Sequence, residues 1–266
     1  MVEVSIITPA YNSSVFISNA IESVIKQTFT NWEMIIVDDC SDDKTVAIVE
    51  DYIKRDPRIH LIKLEKNSGA AVARNAAIRA AKGRYISFLD SDDQWLPHKL
   101  ESQLSFIRKH DAFFVFSAYR RVDEDGHSLG VIGVPETVTY SQLLKTCYIG
   151  CLTAMYDSQK LGKVEMPLIH NSEDLGLWLK LLKKIPVAYG QQEVLATYMI
   201  RDGSVSSNKI SAAAHQWKIY RDIEGIGRVA SSYYFINYAV RGVLRSRFSA
   251  VARALGVMHK VKNGDE

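Results

Sequence analysis

The chain has 266 residues, of which 47% are hydrophobic and 24% charged, and a formal net charge of +3. This composition excludes a disordered chain, because it can fill one large core or two small ones, and so weak a charge gives no reason to expect a nucleic-acid partner. No apolar run approaches the roughly 20 residues that a membrane-spanning helix needs, and Cys40, Cys147 and Cys151 contain no CxxC pair, so free thiols are expected rather than a disulfide framework or a zinc knuckle.

Met1 leads straight into Val2, Glu3, Val4, Ser5, Ile6 and Ile7 without a basic leader or cleavage site, so the expected location is cytoplasmic. Val4 to Thr8 reads as an apolar strand that Pro9, Ala10, Tyr11 and Asn12 break before a helix near Ser14, where Ile17, Ile21, Val24 and Ile25 recur at helical spacing. A second strand, Glu33 to Val37, ends in Asp38, Asp39, Cys40 and Ser41, and a helix from about Lys44 to Lys54 follows. Arg58 to Leu64 is a third strand; an alanine-rich helix then runs from about Ala70 to Ala81, between Gly69 and Gly83. The fourth strand, Tyr85 to Leu89, runs directly into Asp90, Ser91, Asp92 and Asp93. Strands that alternate with helices and are apolar on both faces predict an α/β fold with a doubly wound, mostly parallel sheet. Ligands of such folds bind outside the carboxyl ends of the strands, and here those ends carry Pro9 to Asn12, Asp38 with Asp39, and Asp90 to Asp93.

After Pro97 the spacing predicts a helix from His98 to about Lys109 and a strand from Ala112 to Ala118. Asp123, Glu124, Asp125 and Gly126 read as a hairpin turn between Tyr119 to Val122 and Leu129 to Val134. Leu143 to Cys147 reads as a short helix, Leu152 to Met155 as a strand, Leu175 to Lys184 as a helix entered from Asn171, Ser172, Glu173 and Asp174, and Val194 to Ile200 as a last strand.

Three carboxylates around one strand-end loop repel unless a cation or a set of hydrogen bonds offsets them. Their oxygens suit a hard divalent ion, Mg2+ or Mn2+, while a solvated turn is the bland alternative. Tyr11 offers a ring face, and Asp39 an acceptor for a ring N–H such as uracil presents, although Asp39 also suits a helix cap. Arg74 lies in the first turns of the alanine-rich helix, where a guanidinium suits phosphate but is as readily solvated. Glu173 and Asp174 at a helix start serve ordinary dipole compensation equally well. Trp95, just beyond Asp93, is a better candidate than Trp178 to stack on a sugar, although large aromatics are usually core.

Taken in order, Ile6 to Asn12, Val37 to Ser41 with Asp43, Gly69 to Asn75, and Leu89 to Asp93 resemble the successive motifs of the family two inverting glycosyltransferases, across roughly residues 3 to 205. The resemblance implies a GT-A fold: a Rossmann-like sheet flanked by helices, with a smaller mixed region on the acceptor side. It implies donor-nucleotide contacts from Thr8, Pro9, Ala10, Tyr11, Asp39, Arg74, Asp90, Ser91 and Asp92. It further implies a divalent metal on Asp90 and Asp92 with Asp93 as an additional ligand, a catalytic base at Asp174, and Glu173 beside it toward the acceptor. Arg201, in the glycine- and serine-containing segment Tyr198 to Ser206, is the candidate for the diphosphate. Met199 departs from the pattern, which often has an arginine there. The activity implied is transfer of a sugar from a nucleotide donor, UDP-linked by expectation, to a hydroxyl of a glycan or a lipid-linked glycan. The rivals are a nucleotide-sugar-binding protein without turnover and a nucleotidyltransferase; for the latter no glycine-rich GxGxR-type loop follows the first strand, and no GxGxxG supports a dehydrogenase.

The expected organisation is a catalytic domain over 1–209, divided into a nucleotide-sugar half (1–117) and an acceptor half (118–209), followed by a basic helical segment over 210–266. In that segment Ile236, Val240, Leu244, Phe248, Val251 and Leu255 share one helical face, with Arg241, Arg245 and Arg253 outside it and Arg247 interrupting it. An anionic membrane surface and packing on the catalytic domain or on a second subunit, as in a homodimer, remain equal alternatives.

Overall fold

A computed structural model of the protein describes residues 2–169, 171–201, 209–259 and 261. Its centre is β1 (Val4–Ala10), whose side chains are almost all buried because helices cover both faces of the sheet. The first half alternates as the pattern predicts: α1 (Ile17–Ile25), β2 (Trp32–Asp38), α2 (Thr45–Arg55), β3 (Ile59–Lys63), α3 (Ala70–Ala80) and β4 (Tyr85–Phe88). Strands β3, β2, β1 and β4 lie side by side in parallel, with β1 between β2 and β4. The order therefore reverses at β1, and the gap beyond its carboxyl end and that of β4 is the switch point where such sheets bind ligands. Buried Ala71, Ala73 and Ala77 let α3 lie close against this part of the sheet.

The second half begins with β5 (Gln94–Trp95), α4 (Lys99–His110), β6 (Phe114–Val122), β7 (Ser128–Ile132), β8 (Thr137–Val138) and α5 (Tyr140–Lys145). A 3-10 turn (Cys151–Thr153), β9 (Met155–Asp157), α6 (Ser158–Leu161), α7 (Glu173–Leu182) and β10 (Ala188–Met199) follow. Strand β9 is inserted antiparallel between β4 and β6, so one sheet runs through both halves in the order β3-β2-β1-β4-β9-β6-β10-β5. Successive strand residues alternate between the two core clusters, Ile35 and Val37 of β2 in one and Met34 and Ile36 in the other, so the cores lie on the two faces of the sheet.

Several elements differ from expectation. The residues expected as two strands, Ala112 to Ala118 and Tyr119 to Val122, form the single strand β6, because its pairing with β10 carries through the predicted boundary. Where a strand was expected over Leu152 to Met155, Cys151–Thr153 instead makes the 3-10 turn, and β9 starts at Met155. Strand β10 begins at Ala188, six residues before the expected Val194. The polar run Gln191 to Glu193 hides that beginning. Two register shifts interrupt its ladder there, and Gln191 and Glu193 both bond the Ser102 hydroxyl.

The C-terminal segment forms α8 (Lys209–Lys218), a π-helical turn (Ile219–Ile223), α9 (Arg228–Arg247) and α10 (Ser249–Ala254). Ile219 and Tyr220 enter the main core, and the Tyr220 hydroxyl donates to the Leu144 carbonyl. Buried Glu224 accepts from the Tyr140 hydroxyl and pairs with Lys183. The expected single apolar stripe is broken: α9 ends at Arg247, so Phe248, Val251 and Leu255 belong to the following turn of helix, and Leu244 is half-buried.

Candidate active site

A cleft of about 1200 Å³ opens at the carboxyl ends of β1 and β4. Pro9, Ala10, Tyr11, Asp39, Arg74, Asp90, Ser91, Asp92, Glu173, Asp174 and Arg201 all line it, so segments far apart in the chain meet there as the motifs require. Tyr11 is half exposed, a ring face open to a planar ligand. Thr8 does not join them: its side chain is fully buried in the sheet, which corrects the expectation of a ligand contact from that hydroxyl.

The first wall is set by hydrogen bonds to backbone. Asp39 is buried and accepts the amides of Ser68 and Gly69, each at 2.7 Å. Gly69 has φ +88, a left-handed value that glycine adopts without steric cost, and it caps α3. The Asp39 carboxylate therefore already holds the loop that starts α3, and a ligand N–H must share its remaining acceptor capacity. On the other side of the cleft mouth, the hydroxyls of Ser13 and Ser91 lie 2.8 Å apart and tie the β1 loop to the β4 loop.

The acidic loop after β4 is held mainly by arginines. Arg74, only 8% exposed in its side chain, donates from Nη2 to Asp90 at 2.6 Å and from Nη1 to Glu173 at 2.8 Å. The two carboxylates hold its guanidinium well above the usual arginine range despite the burial that opposes it. Arg74 thus clamps the acidic loop to α7 while also lining the cleft. Glu173 holds this arginine and likewise lines the cleft. Asp92 pairs with Arg201 at 2.6 Å, and Arg201 lies over the Phe16 ring. Burial and the neighbouring Asp90 push the Asp92 carboxyl up.

Asp93 is 1% exposed, and its Oδ1 accepts the Met199 amide at 3.0 Å. Burial, then Asp90 and Asp92, push it well above the usual carboxylate range. Through Oδ1 Asp93 fastens the end of β10, and the residue also lines the cleft beside Asp92. The same bond shows how the loop is anchored without an arginine at Met199: through main chain. Residues 202–206 of the segment lie outside the described residues.

Trp95 is corrected as well. Its ring is 3% exposed, its indole N–H donates to the Leu152 carbonyl, and the buried Lys99 ammonium sits 3.8 Å from its centroid. Trp178 is fully buried against Phe88 and Phe114. Tyr119, which sequence reasoning missed, lines the cleft instead, together with Tyr198 from the expected site segment and Leu168, Ile169 and His215. Period-two alternation in β6 is the signal that could have pointed to Tyr119.

α7 starts with Glu173 just after Asn171 and Ser172; Asp174 follows Glu173 and faces the cleft, its Oδ1 accepting the Leu175 amide at 2.7 Å. Burial, with Glu173 beside it, pushes the Asp174 carboxyl up to about 6. The two residues before α7, Asn171 (φ +60) and Ser172 (φ +78), are both left-handed without being glycine, a strained entry of the kind that concentrates at functional sites. Gly176, one half-turn on, leaves room for Pro167, whose Cγ would lie 2.4 Å from an added Cβ. This packing fixes α7 against the segment leading to Asp174.

Asp90 and Asp92 supply hard oxygen donors, and the mutual repulsion that raises Asp92 is what a divalent cation would relieve, so the pair fits such an ion. Among the described residues the closest-set group of potential ligands is elsewhere: Asp123, Asp125 and His127 in the exposed β6–β7 turn, where Asp123 accepts the His127 amide.

Comparison with known proteins agrees with this arrangement. The profile of glycosyl transferase family 2 matches residues 5–154. TuaG of Bacillus subtilis (strain 168), a glycosyltransferase named for teichuronic acid biosynthesis, is 47% identical over 241 residues, 90% of this chain and 96% of its own length. The Escherichia coli UDP-Glc:alpha-D-GlcNAc-diphosphoundecaprenol beta-1,3-glucosyltransferase WfgD is 39% identical over 246 residues, 92% of this chain and 95% of its own. Among solved structures, Staphylococcus aureus TarS 1-349 in complex with UDP-GlcNAc superposes with a TM-score of 0.72 at 23% identity, covering 96% of this chain and 79% of that one. The Pyrobaculum calidifontis mannosyltransferase PcManGT, in complex with GDP-Man and Mn2+, gives a TM-score of 0.66 at 16% identity, covering 95% and 78%. The motifs, the cleft they build and these relatives lead to one conclusion: the chain belongs to glycosyl transferase family 2 and is a glycosyltransferase of the GT-A fold.

Proposed function

We propose that the protein moves a sugar from a UDP-linked donor to a hydroxyl of a lipid-linked glycan, with inversion, in the synthesis of a cell-surface polysaccharide at the cytoplasmic face of a membrane. One observation carries the reading: a carboxylate raised to about 6 at Asp174 faces the same cleft as Asp90 and Asp92, with Arg74 linking the two sites. The donor class is supported by the UDP-Glc and UDP-GlcNAc in the names of the relative and the structural neighbour, and the lipid-linked acceptor by the diphosphoundecaprenol in the relative's name. Residues 1–117 would bind the donor, 118–209 the acceptor, and 210–266 would add the basic helical segment.

In this reading Pro9, Ala10 and Tyr11 hold the base, with Asp39 accepting its ring N–H. Arg201 leaves Asp92 for the diphosphate when the donor arrives. Asp174 takes the proton of the acceptor hydroxyl as that oxygen attacks the anomeric carbon from the side opposite the leaving nucleotide; the new bond to the acceptor forms as the bond to the diphosphate oxygen breaks. A carboxylate poised near 6 is ionised at neutral pH and a better proton acceptor than one at its ordinary value. Asp90 and Asp92 would hold Mg2+ or Mn2+, which when bound supplies Lewis-acid stabilisation of the departing diphosphate. Glu173 keeps Arg74 in place and keeps the Asp174 carboxyl raised. Asp174→Asn tests the assignment by calorimetry with UDP and a transfer assay: nucleotide affinity should stay within about twofold while transfer falls by at least about a hundredfold, the range of a general base. Transfer at the parent rate would exclude Asp174 as the base.

A further inference from the structure

We infer that the outward face of α9 and α10 is a docking surface for a membrane carrying anionic headgroups. This deepens the proposed reading, which supplies the lipid-linked acceptor, but the surface itself is argued from α9 and α10 alone. Helix α9 is packed on one side and bare on the other. Its inner side rests on α5, with Tyr234 and Phe235 against the core, Ser231 fully buried, and Arg241 donating to the Tyr148 hydroxyl at 2.9 Å. Its outer side presents Val229 (88% exposed), Tyr233, Ile236 (61%), Val240 and Val243 at alternating steps of four and three residues. Between Val229 and Ser246 every exposed residue of α9 is uncharged, over about 25 Å of helix. Solvated helix faces do not ordinarily read this way. Val251 of α10 and the flanking Phe248 and Leu255 are exposed as well, beyond the break after Arg247.

Charge distinguishes the possible occupants. After Glu224 no acidic residue occurs until Asp265, while Arg228, Arg241, Arg245, Arg247 and Arg253 lie between. Arg228, Arg247 and Arg253 are exposed, at the two ends of the α9 ridge and on α10. Two copies of this chain meeting through the face would bring arginines to arginines with no carboxylate from either side, since a two-fold interface uses the same patch twice. An anionic bilayer satisfies both features: side chains such as Ile236 and Val240 enter the interface, and the bordering guanidinium groups reach phosphate. Arg241 and Arg245, which the sequence pattern also offered to such a surface, are half-buried, and Arg241 is held by Tyr148.

The inner side of α9 is joined to elements of the cleft wall. Tyr148, which Arg241 holds, is followed by Gly150, Cys151 and Leu152 in the cleft wall, and α8 contributes His215 to the same wall.

Vesicle flotation of the full chain tests this, using phosphatidylcholine alone and phosphatidylcholine with phosphatidylglycerol. Binding to the anionic vesicles should be at least about tenfold tighter than to the neutral ones and should weaken with added salt. The double variant Ile236→Glu/Val240→Glu, both sites exposed, should lose at least about tenfold of that binding while keeping the parent circular dichroism and the parent thermal shift with UDP. Parent-like vesicle binding by the folded variant, equal binding to both vesicle types, or a parent dimer that the variant converts to a monomer would each overturn the inference. Vesicle binding needs no donor, so a protein that floats with anionic vesicles but ignores UDP and UDP-sugars supports the surface and sinks the donor reading alone.

Discussion

Replacing Arg74 with methionine keeps most of the side-chain volume and removes the one group that joins the acidic loop to α7. In the parent, the guanidinium is 8% exposed and bonds Asp90 at 2.6 Å and Glu173 at 2.8 Å, the carboxylates being 27% and 14% exposed. Leaving buried charges without their partner costs about 3–5 kcal/mol; because Asp90 keeps some contact with water, the lower end applies, about 3 kcal/mol. For a protein of this size each kcal/mol moves the midpoint by about 2–4 °C, so the expected fall in Tm is about 6–12 °C. The loss should be partly reversed by millimolar Mg2+ or Mn2+, since a divalent ion can take over the charge that Arg74 balanced. Differential scanning calorimetry of the parent and of Arg74→Met, with and without metal, reads both effects. A variant as stable as the parent would refute the clamp, and a destabilised variant indifferent to metal would refute the claim that the repelling carboxylates can accept a cation.

Transfer should rise with pH through a limb near 6 as Asp174 ionises, and Glu173→Gln should move that limb down, but not as far as 3.8, because burial is the larger cause of the raised value; a limb that stays or moves up contradicts the assignment. The same shift has a sign for stability: a raised carboxyl binds its proton more tightly when folded, so its contribution is fully present below 3.8 and is lost as pH rises to about 6, and Asp174→Asn should flatten the stability profile across that window. Asp92→Asn should abolish the extra stabilisation that Mn2+ adds to UDP binding in a thermal-shift assay, and an unchanged metal increment would remove Asp92 from the site. Gly176→Ala should cost about 1–3 kcal/mol in denaturant unfolding through its clash with Pro167, and should lower transfer more than UDP binding, since the displaced segment carries the base.

The alternation of apolar strands with amphipathic helices made the first half legible, because burial on both faces leaves a strong local pattern in β1, β2 and β4. The acidic residues were legible for the opposite reason, as polar groups at the ends of apolar strands. Their partners were not. Arg74 and Glu173 are 99 residues apart, and nothing local tells an arginine in a first helical turn whether it will face water, phosphate or a carboxylate. Trp95 misled because its place after Asp93 reads as a cleft rim, whereas a two-residue strand against β10 turns it inward. The same β10 hid its polar beginning, where side chains bonded to Ser102 replace the apolar pattern. In the C-terminal segment the periodicity was real, but its division at Phe248 rests on backbone geometry that spacing does not encode.

Strand β9 belongs in sequence to the second half of the chain yet is hydrogen-bonded along Tyr85, Ile86 and Ser87 of the first half. A chimaera that exchanges the front half of this enzyme with that of a relative, cut near residue 117, would press a foreign β4 against the native β9 and ask two unrelated edges to mate. Swapped donor specificity should therefore survive only when the crossover carries Met155–Asp157 along, which makes this three-residue strand the natural seam for recombination.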